Sequence, residues 1–280
     1  MGFASVYLKE RTLFPELIKE PSQADTGIIV VVPSCGEQAI TKMLDSLASC
    51  IEPQCGIEVI IIVNAPFNAS ASILDINRRT LRETEIWKTA NARSFIRVYP
   101  VFADTWRFRK WGVGMARKTG MDEAVRRFDA LERPNGIILS LDADCTVERY
   151  YFRRVYEGMF ADCFKSACSI YFEHPLAGSE FPAAVYQAIV LYELHLRYYY
   201  QGLCFSGFPD AHHSLGSAIA VKALPYIRSG GMNRRIAGED FYFVQKLVSA
   251  GGYFNLNTTA IYPSPRPSAR VPFGTGPTIA

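Results

Sequence analysis

Four apolar runs separated by stretches of helical spacing restrict this chain more than any other feature. The runs are Ile28–Val32, Glu58–Val63, Phe95–Val101 and Ile137–Leu141. Between them lie helical patterns over Glu37–Ser49, Ser70–Lys88 and Val113–Leu131. Unbroken apolar runs of this length read as strands buried on both faces. Strands alternating with helices imply a mostly parallel central sheet with helices on both faces, an α/β fold. A short amphipathic segment, about residues 5–19, precedes the first strand and is closed by Pro21.

Beyond Glu148 the alternation loosens. A helix over about 148–161, a strand at Ala167–Phe172 and a tyrosine-rich helix over Ala183–Leu203 lead to a Gly/Pro/His loop at 206–216. A strand follows at Ser217–Val221, then a Gly230-Gly231 turn and a helix beginning near Glu239. No Gly/Ser linker divides the chain, so one domain over 1–262 is expected, its halves being 27–145 and 146–262. The segment 263–280, with four prolines by Pro272, reads as a tail or lid.

Bulk properties exclude several classes. A chain of 280 residues, 49% hydrophobic, has ample material for a core. Its net charge of +3, without a basic run, gives no footprint for nucleic acid. Seven cysteines without a C-x-x-C pair do not make a disulfide framework, and C-x₄-C at Cys50/Cys55 and Cys163/Cys168 has no histidine nearby to complete a zinc site. Reduced thiols and a cytoplasmic location are the expectation. No apolar stretch is long enough to span a bilayer. The tyrosine-rich helix carries Glu193, His195 and Arg197 and is expected to pack into the domain, with peripheral contact at the inner membrane face as the lesser alternative.

The chemistry gathers where strands end. Ile137–Leu141 stops on Asp142-Ala143-Asp144. Two hard oxygen ligands at the carboxyl edge of a sheet suit Mg²⁺ or Mn²⁺ beside a phosphorylated ligand, although a solvated strand end accounts for an isolated D-x-D as well. The first strand runs into Pro33-Ser34-Cys35-Gly36-Glu37, a strand-to-helix turn whose amides and Glu37 can bond a base or ribose or simply cap a helix. Gly112-Val113-Gly114-Met115-Ala116-Arg117 opens the long helix. Arg117 stands where a dinucleotide fingerprint needs its third glycine, which excludes that motif. Gly238-Glu239-Asp240 opens a later helix, where first-turn acids also suit the helix dipole.

These four segments, in this order over about residues 27–256, resemble the family 2 glycosyltransferases of GT-A fold, which move a sugar from a nucleotide diphosphate to an acceptor hydroxyl. The resemblance implies that Pro33, Ser34, Cys35 and Glu37 hold the nucleoside and that Gly112 and Arg117 face the sugar nucleotide. It implies that Asp142 and Asp144 bind the divalent cation, Mg²⁺ or Mn²⁺, that bridges the donor's phosphates. Asp240 then acts as general base, with Glu239 orienting it or the acceptor, and transfer inverts the anomeric centre. The acceptor class stays open among glycans, lipid-linked and other hydroxyls. Two departures stand out. The second strand ends in Asn64 where the family commonly has an aspartate; an asparagine can still read a base edge by donating and accepting. No histidine follows His213, so the tail lacks a third metal ligand. His212 and His213 are alternative ligands or acceptor contacts, and His174 and His195 read as structural. Arg266 and Arg270 in the tail suit phosphate. Two rival readings are a nucleotide-binding relative without turnover and a sugar nucleotidyltransferase. The latter would need a basic, glycine-rich loop after the first strand, and Cys35-Gly36-Glu37 is not one.

Overall fold

A computed structural model describes residues 2–91, 95–103, 112–208, 211–235, 238–268 and 274–279. The first half follows the expected alternation: β1 (Thr26–Ser34), α2 (Ile40–Ala48), β2 (Gly56–Val63), α3 (Ala71–Ala90), β3 (Ile96–Phe102), α4 (Val113–Ala130) and β4 (Ile137–Ser140), preceded by α1 (Ser5–Glu10). The second half holds β5 (Thr146–Val147), α5 (Tyr151–Phe160), β6 (Ala167–Phe172), α6 (Ala183–Phe205), β7 (Ile219–Lys222), α7 (Ala223–Arg228), α8 (Glu239–Ser249), β8 (Tyr253–Tyr262) and α9 (Thr275–Thr278).

All eight strands join one sheet in the order β3-β2-β1-β4-β7-β6-β8-β5. β1 pairs in parallel with β2 and β4, and β2 with β3. β7 is antiparallel to both β4 and β6, which turns β6 back into the direction of β4. β8 is parallel to β6. Six strands, β1 to β4 with β6 and β8, therefore point their carboxyl ends to one edge, where open α/β sheets bind ligands.

The period of the strands distributes the core between two faces. Ile28, Val30 and Val32 of β1 face Met43 and Leu47 of α2, Trp87 of α3 and Phe152 of α5. Ile29 and Val31 face Met121 and Phe128 of α4, Tyr226 of α7 and Phe243 of α8. α4 lies close against the sheet because Gly120 has no side chain: a Cβ there would come within 2.4 Å of Val31.

Two polar networks are buried in this core. Asp122 on α4 accepts the hydroxyls of Tyr7 and Tyr226, each at 2.8 Å, and pairs with Lys118 at 2.9 Å, so one carboxylate fastens α1 and α7 to α4. Burial pushes the Asp122 pKa up, against the pull of Lys118. At the opposite end of α4, Arg127 forks onto Glu58, which is wholly buried in β2.

Several elements differ from the sequence expectation. α1 ends at Glu10; residues 17 and 18 are held instead by Glu123, which accepts both backbone amides. α2 starts at Ile40, because Gly36 turns through a positive φ of 63° and Glu37 stays in the connecting turn. β8, β5 and α7 have no counterpart in the pattern. β8 is broken in its polar middle: its pairing jumps from Ile170↔Leu256 to Tyr171↔Ala260, leaving Asn257, Thr258 and Thr259 outside the ladder. That interruption conceals the strand's alternation. The tail is docked through Arg266 and through Thr275, whose hydroxyl lies 3.4 Å from His174 Nε2.

Replacing Arg127 by Ala strands the buried Glu58 carboxylate. The expected loss is about 3–5 kcal/mol, the range for breaking a buried pair from one side. It is measured as a lower denaturant midpoint at an unchanged m-value.

Candidate active site

The carboxyl edge of the sheet gathers the sequence candidates from four strands and two helices. β1 delivers Pro33 and Ser34, and the turn beyond it delivers Cys35 and Glu37. β2 leads directly into Asn64, β4 into Asp142 and Asp144, and β8 into the segment holding Arg266. α4 and α8 bring Arg117, Glu239 and Asp240 to the same edge.

The centre of the site is Arg117, whose side chain is 4% exposed. One guanidinium nitrogen donates to Asp142 Oδ1 at 2.5 Å, and the other donates to Glu239 Oε1. Burial alone would lower the arginine's pKa, but Asp142, Glu239 and Asp240 together outweigh it and hold the charge firmly. The Nε–H of this arginine has no hydrogen-bond partner among the described residues. Two glycines make room for the arrangement. A Cβ on Gly216 would lie 2.3 Å from the guanidinium, and one on Gly114 would lie 2.3 Å from the Arg235 carbonyl and 2.9 Å from Glu239. Gly112 is the N-cap of α4 in extended backbone, and it places Arg117 one turn inside the helix.

Glu239 and Asp240 occupy the first turn of α8, with Gly238 before them in the left-handed region. Glu239 is buried and tied to Arg117, whereas Asp240 is half-buried and accepts the amide of Phe241 at 2.8 Å. Burial raises the pKa of both; Arg117 opposes the rise, and Asp142 adds to it.

A second guanidinium serves the other carboxylates. One nitrogen of Arg266 lies 2.9 and 3.0 Å from the two oxygens of Glu37 and 3.0 Å from Asp144 Oδ2. The tail arginine thus joins the turn after β1 to the end of β4. Arg270 falls outside the described residues.

The turn near Glu37 is organised by residues the sequence did not single out. Asn77 on α3 accepts the amide of Gly36 at 2.8 Å and donates to the Asn64 carbonyl at 2.8 Å, while the Asn64 amide donates to Ser34 O at 2.8 Å. One buried amide side chain therefore fixes the ends of β1 and β2 together. Thr80, one turn further along, donates to the Glu37 carbonyl at 2.8 Å. The available signal was a pair of polar residues, Asn77 and Thr80, on a helix face that otherwise turns toward the core.

A third polar group lies between the end of β6 and the middle of α6. His174 Nδ1 is 2.6 Å from Glu193, which also pairs with Arg197 at 2.9 Å. Arg197 reaches the Phe172 carbonyl and approaches His213, whose ring stacks on Tyr200 with centroids 4.4 Å apart. Burial, reinforced by Arg197, lowers the His213 pKa to about 4, so its ring is neutral at pH 7. His212 lies edge-on to Tyr253.

Among the described residues no group of three His, Cys, Asp or Glu side chains is arranged to hold a metal ion. The chain can supply two hard carboxylates, Asp142 and Asp144, each partly exposed at the edge. This fits a Mg²⁺-type cation, which is bound through one or two carboxylates with the rest of its shell from phosphate and water. Arg266 against Asp144 shows that the position already accommodates positive charge.

No family model and no curated protein sequence matches the chain. In structure it is similar to S. aureus TarS 1–349. Against the complex with UDP-GlcNAc the TM-score is 0.55 at 15% identity, covering 87% of this chain and 60% of TarS. Against the complex with UDP it is 0.54 at 14% identity, covering 85% and 60%. The chain thus spans about three fifths of the TarS chains it matches. Among the described residues no helix is long and apolar enough to cross a membrane.

Removing Arg117 leaves Asp142, Glu239 and Asp240 without their shared counter-charge. The variant Arg117→Met is expected to be less stable than the parent, and by more at pH 8 than at pH 5. Without the guanidinium the buried carboxylate pKa values rise further above their unfolded values, so the penalty applies when these groups are charged and is relieved on protonation. Chemical denaturation at the two pH values checks this, and an equal deficit at both would contradict it. The eight-stranded sheet, its edge and these structural neighbours agree on one architecture: this chain has the GT-A, Rossmann-like glycosyltransferase fold.

Proposed function

We propose that this protein is a glycosyltransferase that moves a sugar from a nucleotide-diphosphate donor to an acceptor hydroxyl. The observation that carries the reading is the meeting, at one sheet edge of a GT-A fold, of the Asp142/Asp144 pair with Arg117, Arg266 and the Glu239-Asp240 helix start. The resemblance to TarS, solved with UDP and with UDP-GlcNAc, supports a uridine nucleotide as the first donor to test.

In this reading the turn of Ser34, Cys35 and Glu37, braced by Asn77, receives the nucleoside together with Asn64. Asp142 and Asp144 hold a divalent cation, Mg²⁺ or Mn²⁺. When bound, the cation supplies Lewis-acid stabilisation of charge on the leaving diphosphate. Arg266 adds a guanidinium that forks onto phosphate oxygens. Arg117 stays buried and acts by position: it orients Asp142 through one nitrogen and fixes Glu239 through the other, so that the first turn of α8 is rigid. Asp240 takes the proton from the acceptor hydroxyl as that oxygen attacks the anomeric carbon, and in-line attack inverts the centre. Its carboxylate is the more exposed of the two acids on α8. Its raised pKa makes it a stronger base than a solvated aspartate.

Binding is tested by the rise in melting temperature with UDP, GDP and their sugars, with and without Mn²⁺. Transfer is tested with the donor that binds. Asp240→Asn is expected to lower kcat by about 10²–10⁴-fold, the usual contribution of general base catalysis, with donor binding kept. Asp144→Ala is expected to lose the Mn²⁺ dependence of donor binding. Full transfer by either variant would refute these two roles, and donor binding without any transfer by the parent would favour the rival reading of an inactive module.

The pH dependence carries a sign. A base must be unprotonated, so kcat falls as pH drops through the pKa of Asp240. Burial raises that pKa, and the acidic limb is therefore expected above the ordinary aspartate range, at higher pH than a solvated acid would give. A limb at or below that range would contradict Asp240 as the base.

A further inference from the structure

α6 is built inside out. Its 23 residues extend about 34 Å at 1.5 Å per residue, yet among them only Ile189 and Glu193 are buried. The inward side carries the helix's charges: Glu193 bonds His174, and Arg197 bonds Glu193 and the Phe172 carbonyl. The outward side carries no Lys, Arg, Asp or Glu at all. Along it, at helical spacing, run Val190, Leu191, Leu194, Tyr198 and Phe205, exposed by 44, 68, 64, 78 and 96%.

The exposed surface of these five side chains amounts to roughly 800 Å², above the ~300–600 Å² of the largest patch on an ordinary monomer. It equals the ~800 Å² that each partner gives to a standard stable interface. Aromatic residues with charge depleted at the centre are the composition of an interface core.

We infer that this face of α6 packs against the same face of a second copy, antiparallel about a two-fold axis at Leu194. The sequence along the stripe is complementary to its own reverse. Counting outward from Leu194, Val190 meets Tyr198 of the partner subunit, Gln187 meets the partner's Gln201, and Ala183 meets the partner's Phe205. The smallest residue thus lies opposite the largest, and the two exposed glutamines lie opposite each other as donor and acceptor. Parallel pairing would set Phe205 against its own copy and leave a gap between the alanines. A two-fold isologous contact is also the commonest closed arrangement of identical chains. A bilayer is the poorer occupant: an interfacial helix turns Lys and Arg toward headgroups from its polar face, and in α6 that face is turned into the domain with its arginine engaged.

Sedimentation velocity and light scattering of the intact chain, from low to high micromolar concentration, test the inference. The parent is expected to be a dimer whose melting temperature rises with protein concentration, and Leu194→Lys and Tyr198→Glu are expected to be monomers with unchanged far-UV circular dichroism and a melting temperature independent of concentration. A second measurement uses a background in which the exposed Cys163 and Cys204 are serine. There, Leu194→Cys is expected to oxidise to a covalent dimer, and mixing Ala183→Cys with Phe205→Cys to give the crossed disulfide, while Arg153→Cys on α5 gives none. A parent that stays monomeric throughout overturns the proposal. So does a monomer that pellets with phosphatidylglycerol vesicles and loses this on Leu194→Lys, because the face would then meet lipid. A dimer that persists in both charge variants and lacks the crossed disulfide overturns it as well.

Discussion

The buried guanidinium of Arg117 is the interaction on which the rest of the site depends. It sits between the end of β4 and the start of α8, two elements that belong to opposite halves of the chain, and it bonds one carboxylate on each. Buried charges persist only where they are paired and hydrogen-bonded. The arrangement therefore specifies several things at once: glycine at 114 and 216, an acid at 239, and α4 held tightly on the sheet through Gly120. Glu239 is thereby engaged by the guanidinium, and Asp240, one residue on, stays partly exposed.

Two different electrostatic regimes operate in the same fold. The networks around Asp122 and Glu58 tie helices to the sheet away from the ligand edge and have no outlet to solvent. At the edge, Arg266 and Asp144 are partly exposed, and Arg266 divides one nitrogen between Glu37 and Asp144. Such shared, half-exposed pairs exchange partners easily when a ligand of like charge arrives, whereas the fully buried ones do not. The division separates what holds the domain together from what handles a ligand.

The first half of the fold was legible because β1, β2 and β4 are buried on both faces and read as largely apolar runs, while the partly exposed β3 is marked by its place in the alternation. Asp142, Asp144, Arg117 and the Glu239-Asp240 pair were legible because each marks the boundary of such an element. What escaped had a different cause in each case. β8 alternates and then loses register around Asn257–Thr259, so neither strand pattern fits it. β5 is two residues long and exists only through its pairing with β8. Asn77 and Thr80 act through backbone groups more than ten residues distant, and no local spacing reveals such a contact. Arg117 was expected to face the sugar nucleotide; its burial between two acids became visible only when the halves of the chain met.

The guanidiniums at this edge also decide what the ligand-free domain needs. Where carboxylates gather without protein cations, folding waits for the metal, and chelation unfolds the chain. In this fold Asp142, Glu239, Glu37 and Asp144 each have an arginine in the same polypeptide. Two guanidiniums of the chain itself thus offset part of the negative charge gathered at this edge. The fold of this edge therefore rests on arginines of the same polypeptide, and chelation of divalent cations is expected to leave it intact.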